Sequence, residues 1–129
     1  MTPTAWVLDA TVRALQEQLL AGFGGAAGIR DEGLLASALA RPRNLQAHGS
    51  ASICQLAANH AFGLVRNHPF MDGNKRIGFA TAVLFLELNG RAFEAGEVDA
   101  VLRTLALATG DLDEAGCASW LEANSSARS

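Results

Sequence analysis

The chain has 129 residues, half of them apolar, and a formal net charge of −3 at pH 7. That length supports one domain, residues 1–129, built on a single core. The acidic balance offers no basic surface for direct nucleic-acid binding.

Leu8, Val12, Leu15 and Leu19 keep one face of a first helix, which the glycines from Gly22 to Gly28 end. Asp31 is placed to cap a short helix carrying Leu34, Leu35, Ala38 and Leu39, stopped by Arg41-Pro42. Residues 43–50 read as a polar loop. Ile53, Leu56, Ala57, Ala61, Leu64 and Val65 then repeat at helical spacing. An almost wholly apolar run from Ile77 to Leu88 follows and closes at Asn89-Gly90. Apolar nearly all round, it is expected to be the central buried helix. Val98, Val101, Leu102 and Leu105 mark another helix ending near Gly110. Ala118 and Leu121 belong to a short last one, and residues 124–129 to a frayed tail.

The fold class is therefore all-α, with no repeat, low-complexity segment or linker. The run from Ile77 to Leu88 is interrupted at Glu87 and is too short to span a bilayer. Asp9 and Arg13 break any signal-peptide pattern. Cys54 and Cys117 lie far apart in helical patterns, as expected of free thiols in a reducing cytoplasm.

The stretch His68-Pro69-Phe70-Met71-Asp72-Gly73-Asn74-Lys75-Arg76 carries the chemistry. Pro69 and Gly73 break regular structure on either side of Asp72. Asn74 suits the N-cap of the apolar helix. Lys75 and Arg76 then fall in its first turn, where the helix dipole disfavours cations. Two cations beside free backbone amides make an anion site, and phosphate is the usual occupant. Asp72 is a hard oxygen ligand of the kind that holds magnesium on a nucleotide. His68 is the one group in the stretch that moves a proton near neutral pH. The bland reading is a solvated loop with an ordinary cap. Five suitable groups in nine residues, ahead of a buried helix, weigh against it.

This stretch resembles the Fic/Doc motif, His-x-Phe-x-Asp-Gly/Ala-Asn-x-Arg, and is closest to the Doc (death-on-curing) branch. Phe23-Gly24-Gly25, the segment from Gly28 to Leu35, Ser37 to Pro42, Leu84-Phe85-Leu86 and Asn89-Gly90 extend the likeness over nearly the whole chain. The resemblance implies a compact Fic/Doc helical bundle and a cytoplasmic toxin of a bacterial toxin–antitoxin pair. It implies ATP as substrate, with Mg2+ held by Asp72. His68 would be the base and Asp72 would help orient it. Gly73, Asn74, Lys75 and Arg76 would bind phosphates. Arg66, just before the motif, is within reach of a phosphate or of a surface carboxylate.

One position separates the branches. Fic enzymes that transfer AMP usually read Gly-Asn-Gly-Arg-x-x-Arg. This chain has Lys75 in place of that second Gly and Phe79 in place of the second Arg. The Doc-like reading is therefore a protein kinase that offers the γ-phosphate of ATP to a threonine of elongation factor Tu and arrests translation. AMP transfer is the alternative. A third is a non-catalytic module that binds an antitoxin and acts as co-repressor. Three departures bear on the choice. Gln16 stands where many Doc-like chains have histidine, Ala80 where some have a polar residue, and Gly73 where the best-known Doc motif has alanine.

Many Fic proteins carry an inhibitory helix, Ser/Thr-x-x-x-Glu-Gly/Asn, which is not found here. The resemblance implies instead a separate Phd-type antitoxin whose tail folds into an apolar groove. Nucleic acid would be met only through that antitoxin. The remaining candidates have plain readings. His60 shares an apolar face and is expected in the core. His48 sits in the polar loop, where the resemblance places a substrate-docking flap. Trp6 and Trp120 are packing residues or antitoxin contacts. The histidines and cysteines show no zinc-site spacing.

Overall fold

The computed structural model describes residues 3–128. Six helices occur in order: α1 (Asp9–Phe23), α2 (Glu32–Ala47), α3 (Ile53–Asn67), α4 (Asn74–Leu88), α5 (Glu97–Thr109) and α6 (Glu114–Ala123). Two three-residue strands, β1 (Arg91–Phe93) and β2 (Ser125–Ala127), pair antiparallel. None of the helices is long and apolar enough to cross a membrane.

The core lies on α3, which packs against α2, α4 and α6. Ser52 and Gln55 start α3 with a reciprocal cap, each side chain bonding the other's backbone amide. Most of the helix is buried, including Leu56, Leu64 and Val65. The α4 helix buries Ile77, Ala82, Phe85 and Leu86 against it and shares the centre. Gly78 sets their approach. A Cβ there would lie 2.7 Å from Val65 Cγ2 and 3.2 Å from the Ala61 carbonyl.

Two boundaries differ from those expected. Helix α2 does not stop at Arg41-Pro42 but continues to Ala47 with Pro42 inside it. A proline there costs about 3 kcal/mol in an isolated helix. Here Pro42 is fully buried, Arg43 lies 5.2 Å over the Trp6 ring, and Gln46 donates to Thr4 Oγ1. Packing thus overrides the local stop, and the supposed loop at 43–50 is helical as far as residue 47. The tail is also ordered through Arg128. Ser125–Ala127 pairs with Arg91–Phe93, and Arg91 donates to Ser125 Oγ and to its carbonyl. Residue 129 lies outside the described residues.

The expected α5 is present, but its apolar stripe faces out. Val98, Val101, Leu102 and Leu105 are 74%, 58%, 58% and 43% exposed. Its buried residue is Leu107.

His60 is a core residue, 1% exposed, with its ring 5.0 Å from Phe85. Neither ring nitrogen has a hydrogen-bond partner. Burial, and secondarily the charge of Arg43, push its pKa down to about 4. An unfolded histidine titrates near 6.5, so above that pH both states hold it neutral. Below it the unfolded chain takes up a proton that the fold refuses. Stability should therefore fall as pH drops from 6.5 towards 4, by up to about 3 kcal/mol from this group. Urea unfolding of wild type and His60→Leu across that range tests this. Equal pH slopes in the two proteins would remove His60 as the cause.

Candidate functional site

The loop joining α3 to α4 carries the motif. It is anchored by burying Pro69 and Phe70, the latter 2% exposed. An extended segment from Gly28 to Asp31 runs beside it. Ile29 bridges to Phe70, the Met71 amide donates to the Gly28 carbonyl, and the Arg30 and Asp31 amides both donate to the Pro69 carbonyl.

Asn74 does not cap α4. The N-cap is Gly73, in a left-handed conformation at φ 74°, and Asn74 is the first helical residue. Its side chain turns back into the loop and is 5% exposed. Oδ1 accepts from the Phe70 amide at 2.9 Å, and Nδ2 donates to the Phe70 carbonyl at 3.0 Å. Those two bonds fix which way the amide points. Nδ2 also lies 3.2 Å from His68 Nδ1. The loop is thereby closed from inside, and the imidazole is met at one nitrogen.

His68 sits just past the end of α3 at φ 51°, ψ 54°. It is the one non-glycine residue with positive φ among those described. The ring is exposed at the mouth of an open cavity of about 350 Å3. Met71, Asp72, Gly73, Asn74, Lys75 and Arg76 complete its lining. The structure thus brings His68, Asp72, Gly73, Asn74, Lys75 and Arg76 to one cavity. Arg66 is not among them. Its guanidinium lies 5.7 Å over the Phe62 ring and next to Gly110.

No side chain caps the first turn of α4, and the free amides of a helix start suit an anion. Lys75 is exposed at the rim. Arg76 reaches across to α1, where it donates to the Gly24 carbonyl and lies 5.0 Å over the Phe23 ring. Asp72 Oδ1 accepts from the Gly73 amide, and Oδ2 faces the Ala26 amide at 3.4 Å. No group of three or more His, Cys, Asp or Glu gathers to hold a metal among the described residues. The Asp72 carboxylate, lining the same cavity as Lys75 and Arg76, nonetheless fits magnesium, which is commonly bound through one or two carboxylates plus substrate phosphates.

Sequence reasoning missed three contributors. Gln16, noted only as a departure, is 4% exposed and donates from Nε2 to the Asp72 carbonyl at 2.8 Å. Gly25 lets Asp72 come close, since a Cβ there would sit 2.9 Å from Oδ2. Arg30 contacts the motif backbone. The glycine run at 22–28 was the available signal, but it reads equally as a helix stop.

A family model described as the Fic/DOC family matches residues 6–86, which span α1 to α4 and the motif. The chain is 37% identical over 98 residues to Toxin Doc of Mycolicibacterium smegmatis, covering 70% of this chain and 75% of that one. It is 28% identical over 110 residues to Protein kinase doc of Escherichia phage P1, covering 84% and 86% respectively. With the motif assembled round one cavity and these relatives in hand, the chain belongs to the Fic/DOC family, in its Doc branch.

Proposed function

We propose that this protein is the toxin of a toxin–antitoxin pair and acts as an ATP-dependent protein kinase on a translation factor, a threonine of elongation factor Tu. The observation that carries the kinase reading is the pair of side chains at 75 and 79. Lys75 puts a long cation at the rim of the anion site, where a small residue would leave room. Phe79, in place of a second arginine, packs edge-on against Phe93 at 5.7 Å and near Trp120 at 6.4 Å. It therefore belongs to an aromatic cluster and supplies no charge for a terminal phosphate. Similarity to Protein kinase doc of phage P1 supports the same reading.

Phosphoryl transfer asks chiefly for positioning and charge stabilisation. In this reading the substrate hydroxyl oxygen bonds to the γ-phosphorus as the bond to the ADP oxygen breaks. His68 takes the hydroxyl proton. The α4 amides, Lys75 and Arg76 bind phosphate oxygens. Asp72 holds Mg2+, which when bound neutralises phosphate charge. Gly73, which stands where the best-known Doc motif has alanine, is the residue that favours the AMP-transfer alternative.

The assay uses purified elongation factor Tu, magnesium, and ATP labelled at the α or the γ position. Label from γ alone is expected, falling at least 100-fold in His68→Ala. Label from α would make this an AMP transferase. Full transfer or full toxicity by His68→Ala would remove the catalytic reading in favour of a binding module.

The outward face of α5 supports the antitoxin part of the reading. Phe23, Phe79, Ala100, Val101 and Leu105 line an open groove of about 560 Å3 that ends at Lys75 and Arg76. An apolar helical tail of a Phd-type antitoxin would fit such a surface and lie over both cations. Leu105→Asp with Val101→Asp should weaken antitoxin binding by roughly 100-fold while leaving label transfer intact. Unchanged affinity in calorimetry would place the antitoxin elsewhere.

A further inference from the structure

Arg30 lies outside the motif, on the segment leading into α2, and is itself exposed. Yet it touches three successive backbone carbonyls at the catalytic end of α3. Its Nε donates to the His68 carbonyl at 2.6 Å and its terminal nitrogen to the Asn67 carbonyl at 2.8 Å. Its own amide donates to the Pro69 carbonyl at 2.7 Å.

Helix α3 ends at Asn67, so its last carbonyls lack helical donors and carry the negative end of the helix dipole. A planar guanidinium meets two carbonyls at once, which an ammonium does not do equally. Between them stands His68 in the left-handed region just past the end of α3, a conformation uncommon for a residue other than glycine and held here by contacts at both ends. The constraint is applied at both ends of the residue. Arg30 fixes the backbone, and Asn74 meets the ring at Nδ1.

We propose that Arg30 is a positioning residue, which holds His68 in its left-handed conformation and so aims the imidazole into the cavity. The inference rests on His68 being the proton acceptor of the proposed transfer. It assigns Arg30 no contact with substrate or nucleotide. Loss of the clasp should let the His68 backbone relax and the ring leave its line of attack. Phosphate binding by the α4 turn should be little affected.

The test compares Arg30→Ala and Arg30→Lys with wild type by two readouts. The first is the ring resonances of the three histidines, with that of His68 identified by its absence in His68→Ala. The second is γ-label transfer, resolved into kcat and KM for ATP. The His68 signal should move or broaden in Arg30→Ala while those of His48 and His60 stay. Displacement of the ring should lower kcat roughly 10-fold to 100-fold with KM for ATP within about twofold. Arg30→Lys should fall between. A His68 signal unmoved in both variants overturns the proposal. So does movement of all three histidines together, or a kcat for folded Arg30→Lys and Arg30→Ala equal to wild type. If wild type transfers no label at all, the proposed function fails, and the resonances still decide what Arg30 does to His68.

Discussion

The site depends on one buried amide. Asn74 bonds both backbone polar groups of Phe70, and Phe70 is the residue that nails the loop into the core. Without that side chain the Phe70 amide and carbonyl would be left without partners next to the core, each at about 1–3 kcal/mol. The bracket also decides where α4 begins. Because the Asn74 side chain turns inward, Gly73 becomes the cap, and no side chain caps the first turn. A conventional cap by Asn74 would have consumed one of its amides. The loop is thus closed from within by a residue whose helix start carries no side-chain cap.

A second layer of contacts comes from the chain before α2. The glycine segment meets Asp72 at the Ala26 amide, and Arg76 reaches back to Gly24 and Phe23. Gln16 holds the Asp72 carbonyl from α1. Asp72 and Arg76 are exposed or half-buried, so these contacts are individually weak. Their effect is positional. They set the Asp72 carboxylate at the edge of the cavity and keep the Arg76 charge near it. The Gln16 bond is partly buried and should outweigh the others. An amide donor at position 16 therefore serves the Asp72 backbone directly, whatever a histidine does there in relatives.

The sequence made the motif legible because its groups lie within nine residues. Any fold that starts a helix at position 74 brings them to one cavity. The helices from Ile53 and Ile77 were legible for a related reason, since both bury long apolar faces. What stayed hidden depends on partners distant in the chain. Pro42 reads as a stop until Trp6 and Thr4 are seen to hold the next turn. Ser125–Ala127 has no alternation to mark a strand, and pairs only because Arg91–Phe93 arrives beside it. Arg66 sits next to the motif in sequence yet turns to Phe62, because aromatic packing on its own helix competes for the guanidinium. Arg30 and Gln16, 38 and 56 residues from the groups they hold, carry no local signature at all.

The α5 stripe shows how the same pattern can mean opposite things. Val98, Val101, Leu102 and Leu105 have the spacing of a core-facing helix, but the core is already closed by α3, α4 and α6. Phe79 fills the space beneath α5, where its ring meets Phe93 and Trp120 meets Asp99 through a 2.7 Å bond. Val101 and Leu105 of that face line the groove beside Lys75 and Arg76. One pair of cations therefore borders both the motif cavity and the apolar surface. A helix with acidic groups laid in the groove would compete for those cations without entering the cavity. In such an arrangement inhibition would need no motif residue to move, because the motif cavity and the apolar groove share Lys75 and Arg76 as lining.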